Sequence, residues 1–254
     1  MRIAAKAARI GDKILNIVIL MLAVIFFLCG TYALWDNYKI LQGGSVDAKI
    51  MSYKPDPADP SNPSLSDLQA INPDVRAWIT IDNTHIDYPV VQGENDSEYL
   101  NKDIDGQFAL AGSVFLDYRN AADFSDFYNI IYGHHMSSGA MFGDIENFRE
   151  EGYFDTHTTG SLCTPGETYR ISLFACIVAD GYDSWIYSLD YSGEESESQL
   201  LAYITEKSVQ KRDPEFSDIR RIIALSTCTD TSTNERTVLL GTLIPVSESP
   251  SATS

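Results

Sequence analysis

Arg221-Ile222-Ile223-Ala224-Leu225-Ser226-Thr227-Cys228 and Arg236-Thr237-Val238-Leu239-Leu240-Gly241-Thr242-Leu243-Ile244 are two apolar, β-branched runs that read as strands. Between them Thr229-Asp230-Thr231-Ser232-Thr233-Asn234-Glu235 is polar and turn-forming, as a surface loop should be. If the runs pair as a hairpin closed by that loop, Cys228 and Arg236 are the first residues to face each other. Directly opposed residues share one face of a sheet, with Cβ atoms roughly 5 Å apart. A thiol is then set beside a permanent cation at a strand end. The cation lowers a cysteine pKa and can donate to a developing oxyanion. The same residues also fit a small buried cysteine that ends a core strand, with a surface arginine starting the next.

Outward from this hairpin, the N-terminus sets the compartment. Ile14 to Trp35 is an uncharged apolar run of 22 residues. As a helix it spans the roughly 30 Å hydrocarbon core of a bilayer. Arg2, Lys6, Arg9 and Lys13 precede it, so the N-terminus is expected in the cytoplasm and the rest of the chain outside. A cleavable signal peptide would have a shorter apolar core, about 7–15 residues, and a clear small-x-small site. Thr31-Tyr32-Ala33 is a weak match to such a site, so an uncleaved anchor is expected. No small residue precedes Cys29, which argues against a lipoprotein.

The chain has 254 residues and a net charge of −18. Residues 1–13 carry four basic side chains and one acidic, so the remainder carries −21. A domain this acidic repels phosphate, which excludes nucleic acid as a partner. Beyond Cys29 lie Cys163, Cys176 and Cys228, an odd number, so at least one thiol stays unpaired within the chain. Cys163 and Cys176 sit in neighbouring segments rich in β formers; they could bridge, though burial as separate hydrophobes is the reading preferred here. There is no Cys-x-x-Cys, no His-x-x-x-His and no acidic cluster, so no metal is expected.

Lys54 to Ser64 holds four prolines and predicts an extended spacer. Ser66 to Ile71 predicts a short helix. Strands are expected over Ala77–Ile81, His85–Val91, Gly112–Leu116, Asn129–Tyr132, Thr168–Ala179 and the two C-terminal runs. Helices are expected over Ala140–Phe148 and Glu194–Lys207, the latter with acidic residues in its first turn. This pattern predicts a mainly β protein, a closed or nearly closed barrel with peripheral helices. Tyr132-Gly133-His134-His135-Met136 places two histidines at a strand end, where one could serve a cysteine nucleophile as acid and base. His85 and His157 have no such context.

Together these segments resemble a class B sortase, a membrane-anchored cysteine transpeptidase of the Gram-positive cell surface. The resemblance runs from about Leu68 to Thr242. It rests on Asn72-Pro73-Asp74-Val75, Ile86-Asp87-Tyr88-Pro89-Val90-Val91-Gln92-Gly93 and Gly112-Ser113-Val114-Phe115-Leu116-Asp117. It continues in Tyr132-Gly133-His134 with Met141-Phe142-Gly143, and in Leu225-Ser226-Thr227-Cys228 with Arg236. Ala224 stands where the family often has threonine. The Cys-to-Arg spacing is shorter than in anchoring class B enzymes. That spacing and the doubled His134-His135 are closer to class B-like sortases that polymerise pilins.

The resemblance implies a sortase β-barrel with Cys228 as nucleophile, His134 as general acid and base, and Arg236 as support for substrate and oxyanion. Ser226 and Thr227 would shape the groove, and no cofactor is needed. The implied partners are surface proteins or pilins bearing a C-terminal sorting signal, and an acceptor amine from a pilin lysine or a cell-wall peptide. The expected organisation is a basic cytoplasmic segment over 1–13, a transmembrane anchor over 14–35, a juxtamembrane helix and spacer over 36–66, the catalytic domain over 67–246 and a flexible tail over 247–254. Two other functions compete: a cysteine peptidase that hydrolyses its acyl-enzyme, and a non-catalytic, membrane-tethered binding domain.

Overall fold

A computed structural model describes residues 2–44, 46–56, 65–214, 219–228 and 234–246, by backbone alone at 2–8, 36–43 and 228. Most of the Pro-rich spacer, the loop 229–233 and the tail from 247 lie outside the described residues. The chain divides into two units, Met1–Gln42 and Gly43–Ser254. The first is formed by helix α1, Arg2–Gly43, up to Gln42. Its stretch Arg9–Trp35 is 27 residues long, reaches a mean hydropathy of 2.7 over its most apolar 18 residues and leaves its apolar side chains exposed, so it is long and apolar enough to cross a membrane.

The second unit begins with two short helices, α2 (Ala48–Met51) and α3 (Leu65–Ile71). Asp47 caps α2 by accepting the Lys49 amide at 2.8 Å. Both helices bury leucine or isoleucine (Ile50, Leu65, Leu68) against Val75, Trp78, Val91 and Phe115.

Nine strands follow among the described residues: β1 (Val75–Ile81), β2 (Asp87–Val91), β3 (Val114–Leu116), β4 (Tyr128–His134), β5 (Thr159–Cys163), β6 (Thr168–Asp180), β7 (Ser208–Lys211), β8 (Ile222–Cys228) and β9 (Glu235–Pro245). Their neighbour order is β5-β1-β2-β3-β4-β8-β9-β6-β7, and β5 also pairs with β6. That extra pairing closes eight strands into a barrel and leaves β7 appended to β6. The long strand β6 makes this possible. One edge pairs with β9 from Tyr169 to Asp180, while the other pairs first with β5 and then with β7. Pairs β2–β3 and β4–β8 are parallel, and the others are antiparallel.

The expected closed barrel is therefore present, with β5 and β7 added to the seven strands read from sequence. Helix α5 (Glu194–Lys207) covers the expected residues, with three acidic side chains in its first turn and Lys207 in its last. It packs Leu200 and Ile204 against Ile177, Val238 and Leu240 of the barrel. The expected helix over Ala140–Phe148 is replaced by a turn and a 3₁₀ helix over Gly143–Arg149, followed by α4 (Glu151–Thr156). Met141 has φ +54°, which a continuous α-helix cannot include. Cys163 and Cys176 are both buried and unbridged. Burial pushes the Cys163 thiol up and the Cys176 thiol up to about 12.

Closure depends on one glycine. Gly160 of β5 pairs with Ile81 of β1 and Ile171 of β6. A Cβ there would lie 2.4 Å from the Thr80 carbonyl oxygen and 2.8 Å from Ile81 Cδ1. Gly160→Ala should force the β1–β5 seam apart and cost about 1–3 kcal/mol, read as a lower denaturant midpoint.

Candidate active site

A cleft of about 460 Å³ opens at one end of the barrel, lined by Asp96, Ser97, Leu100, Phe115, Tyr132, Gly133, His134, Gly181, Tyr187, Ser226 and Arg236. Its floor is the ends of β4, β8 and β9. β8 runs parallel to β4, which pairs Tyr132 with Ser226 and His134 with Cys228. β8 runs antiparallel to β9, which pairs Cys228 with Arg236. Cys228 is thus flanked in register by His134 and Arg236, with strands roughly 4.8 Å apart. The hairpin expected from sequence has its predicted first pair.

Strand alternation then separates the neighbours. Ser226 lines the cleft, as do its partner Tyr132 and, two residues on, His134. Thr227 alternates to the other face; it is fully buried and does not line the cleft. Its partner there, Thr237, accepts hydrogen bonds from Arg149 Nε and Nη2 at 2.9 and 2.6 Å.

The two adjacent histidines are likewise divided. His134 Nε2 lies 2.8 Å from the Leu100 carbonyl oxygen. A carbonyl only accepts, so this contact is a hydrogen bond in the tautomer with the proton on Nε2. His135 Nε2 instead meets Glu146 Oε2 at 3.0 Å and is absent from the cleft lining. Gly133 permits this seat, since a Cβ would lie 2.7 Å from the Phe142 ring that packs beneath it. The Leu100 carbonyl is itself held from below. It belongs to the 3₁₀ turn Glu98–Asn101, whose buried Tyr99 donates to Asp74 Oδ2 at 2.7 Å and accepts from Asn72 Nδ2 at 3.2 Å.

The opposite wall comes from the connection between β6 and α5. Asp183 Oδ1 accepts the amides of Trp185 and Ile186, and its Oδ2 accepts from Tyr203 of α5 at 2.5 Å. This winds one turn that carries Tyr187 into the cleft. There Tyr187 stacks on Tyr132 with centroids 6.4 Å apart and its hydroxyl meets Ser226 Oγ at 3.0 Å. Arg236 lies 6.0 Å from the centre of the Tyr187 ring. Gly181 leaves room for it, because a Cβ would sit 2.8 Å from Arg236 Nε.

Behind this wall Asp117 is fully buried. It takes two hydrogen bonds from the Arg119 guanidinium, at 2.8 and 2.6 Å, and one from the Tyr132 hydroxyl at 3.0 Å. Arg119 also donates to the Tyr187 carbonyl at 3.1 Å. Burial beside this carboxylate pushes the Tyr132 phenol far up, so it remains a donor. Asp96 at the rim is raised mainly by burial, against the Tyr118 amide that it accepts.

Of the residues expected from sequence, His134, Arg236 and Ser226 line the cleft, Cys228 stands between His134 and Arg236 in register, and Thr227 does not line it; Leu100, Asp96, Tyr187 and Arg119 were not among those expected. Asp117 lay within a quoted motif without a role. Tyr187 gave no signal, because Asp183 and Tyr203 place it from a distance. His85 and His157 lie elsewhere: His85 pairs with Asp144 at 2.8 Å, and His157 stacks on Tyr153 with ring centroids 3.8 Å apart. Among the described residues no group of three His, Cys, Asp or Glu side chains could hold a metal ion.

Comparison with known proteins follows the same outline. The Sortase domain family matches residues 79–244. Sortase B of Listeria monocytogenes is 34% identical over 71% of this chain and 74% of its own length. The crystal structure of a Streptococcus pyogenes class B sortase involved in pilus biogenesis superposes with a TM-score of 0.64 at 44% identity, covering 70% of this chain and 96% of that one. Sortase B from the type II pilus of Streptococcus pneumoniae gives 0.61 at 37% identity, covering 70% and 97%.

Asp117→Asn keeps the shape of the cleft wall while removing its charge. Arg119 is 40% exposed, so the ion-pair part is screened and the hydrogen bonds dominate. The substitution should cost about 1.5–3 kcal/mol, seen as a lower denaturant midpoint with an unchanged slope.

Proposed function

The chain belongs to the class B sortases, cysteine transpeptidases, and from that premise we propose that it polymerises pilins from the outer face of a cell membrane. The observation that carries the chemistry is the register of three neighbouring strands, which sets His134, Cys228 and Arg236 side by side. In this reading the Cys228 thiolate attacks the threonine carbonyl of a sorting signal resembling Leu-Pro-x-Thr-Gly. The peptide bond after threonine breaks, His134 gives a proton to the departing glycine amine, and a thioester remains on Cys228. An incoming amine then loses a proton to His134, attacks the thioester and releases the thiolate as the new amide forms. Arg236 holds the tetrahedral oxyanion and the substrate backbone. Ser226 shapes the wall beside the thiol, and Thr227 supports it from behind. No cofactor enters the balance.

The helix over Arg9–Trp35 is read as the anchor. The basic residues before it favour a cytoplasmic N-terminus and an extracellular catalytic domain. The lysine of a pilin is the preferred acceptor. Of two similar structures, one is a class B sortase involved in pilus biogenesis and the other a sortase B from a type II pilus, and the doubled histidine and short loop after Cys228 point the same way.

His134→Ala should abolish amide formation, about a thousandfold or more below wild type, whereas His135→Ala should remain within tenfold. Equal losses in two folded variants would leave the assignment without support. With Cys228→Ala no thioester adduct should be trapped on a sorting-signal peptide. Hydrolysis alone in the presence of acceptor amine would make the protein a peptidase.

Deleting the enzyme from its host should remove a high-molecular-weight ladder of surface protein from a denaturing gel. Shedding of one monomeric protein with any ladder intact would identify an anchoring sortase that uses a cell-wall peptide instead.

A further inference from the structure

Several motif residues touch neither the cleft nor its walls: Tyr88, Met141 and Gly143 among them. Tyr88 is nearly buried, at 7% exposure. Its hydroxyl donates to the Gly44 carbonyl at 2.8 Å and accepts the Met141 amide at 2.7 Å. One oxygen atom therefore ties the start of this unit to the loop that follows His134.

That loop needs holding. Met141 has φ +54°, a left-handed conformation that a non-glycine residue adopts only when its surroundings impose it. Met141 bridges back to His135, and the next amide, Phe142, donates to the His134 carbonyl at 3.0 Å. The Phe142 ring is the surface on which Gly133 lies. Gly143 continues the constraint, since a Cβ would fall 2.1 Å from the Met136 carbonyl oxygen. At the other end of the tie, Gly44 is wedged in place. A Cβ there would meet Met136 Sδ at 2.4 Å and Ala140 Cβ at 3.0 Å. The two residues that Gly44 touches belong to the same loop that Tyr88 grips. Burial raises the Tyr88 phenol, so it stays protonated and keeps its donor.

We propose that Tyr88 is a positioning residue for the transpeptidation reaction, pinning the loop Met136–Phe142 between Gly44 and β2 so that His134 keeps its place beside Cys228. This rests on the reading of His134 as general acid and base. The residue touches neither substrate nor reacting atoms. Its effect is on how often the imidazole stands where a proton must pass, a term that enters turnover and leaves substrate affinity alone.

The test uses the full chain with Tyr88→Phe, which removes one oxygen and preserves the ring. Amide hydrogen exchange at Met141 and Phe142 should speed by about tenfold or more. The kcat for transfer of a sorting-signal peptide to an amine should fall about tenfold with KM within twofold. Gly44→Ala, which leaves the phenol intact and displaces its acceptor, should move both readouts in the same direction. Unchanged exchange in both variants overturns the pin. Faster exchange with unchanged kcat, while His134→Ala is inactive, overturns the positioning role. If His134→Ala itself retains activity, the acid–base reading falls and takes the positioning role with it. Exchange still accelerated in Tyr88→Phe would mark that failure as one of the chemistry rather than of the contact.

Discussion

The register of β8 is the constraint on which the site depends. β8 pairs parallel with β4 on one edge and antiparallel with β9 on the other. A shift of one residue against either neighbour would turn the facing side chains to opposite faces of the sheet. Register here is fixed by burial, since Ile222, Ile223, Ala224 and Leu225 are fully buried, as are Val238, Leu239 and Leu240 of β9. Both faces of the hairpin are covered, so a slip would bring mismatched side chains into two packed layers. Core packing thereby sets the chemistry at the strand ends.

Around this floor, His134, Tyr187 and Tyr132 are each held by a group that is itself held. Asn72 and Asp74 grip Tyr99, whose turn presents the Leu100 carbonyl to His134. Tyr203 and Asp183 wind the turn that presents Tyr187. Asp117 and Arg119 stand behind Tyr132 and Tyr187. The cleft-facing side chains are thus supported by hydrogen bonds from three separate connections, which limits how far any wall can move alone.

The sequence made the hairpin legible because its signals are local. Two β-branched runs and a polar loop place Cys228 opposite Arg236 by counting alone. The helix Glu194–Lys207 was readable for the same reason, from its charge asymmetry. β5 was not, since Gly160 and Ser161 interrupt its few β formers and the segment is held as a strand by β1 on one side and β6 on the other. β7 is a polar Ser-Val-Gln-Lys segment that is a strand because β6 offers it an edge. The helix expected over Ala140–Phe148 failed where helical composition met a left-handed Met141 and the close approach of Gly143 to Met136. His134 and Cys228 are more than ninety residues apart, and their adjacency rested on family resemblance rather than on any local pattern.

The placement of β8 between β4 and β9 also orders events in time. Strands β1 to β7 are complete before the chain has produced either of the last two, and β8 must enter between a strand made long before and one made after it. Pairings of such large sequence separation are slow to form. Until the final hairpin inserts, Cys228 stands opposite neither His134 nor Arg236. Closing the barrel and bringing those three residues into register are therefore one and the same event.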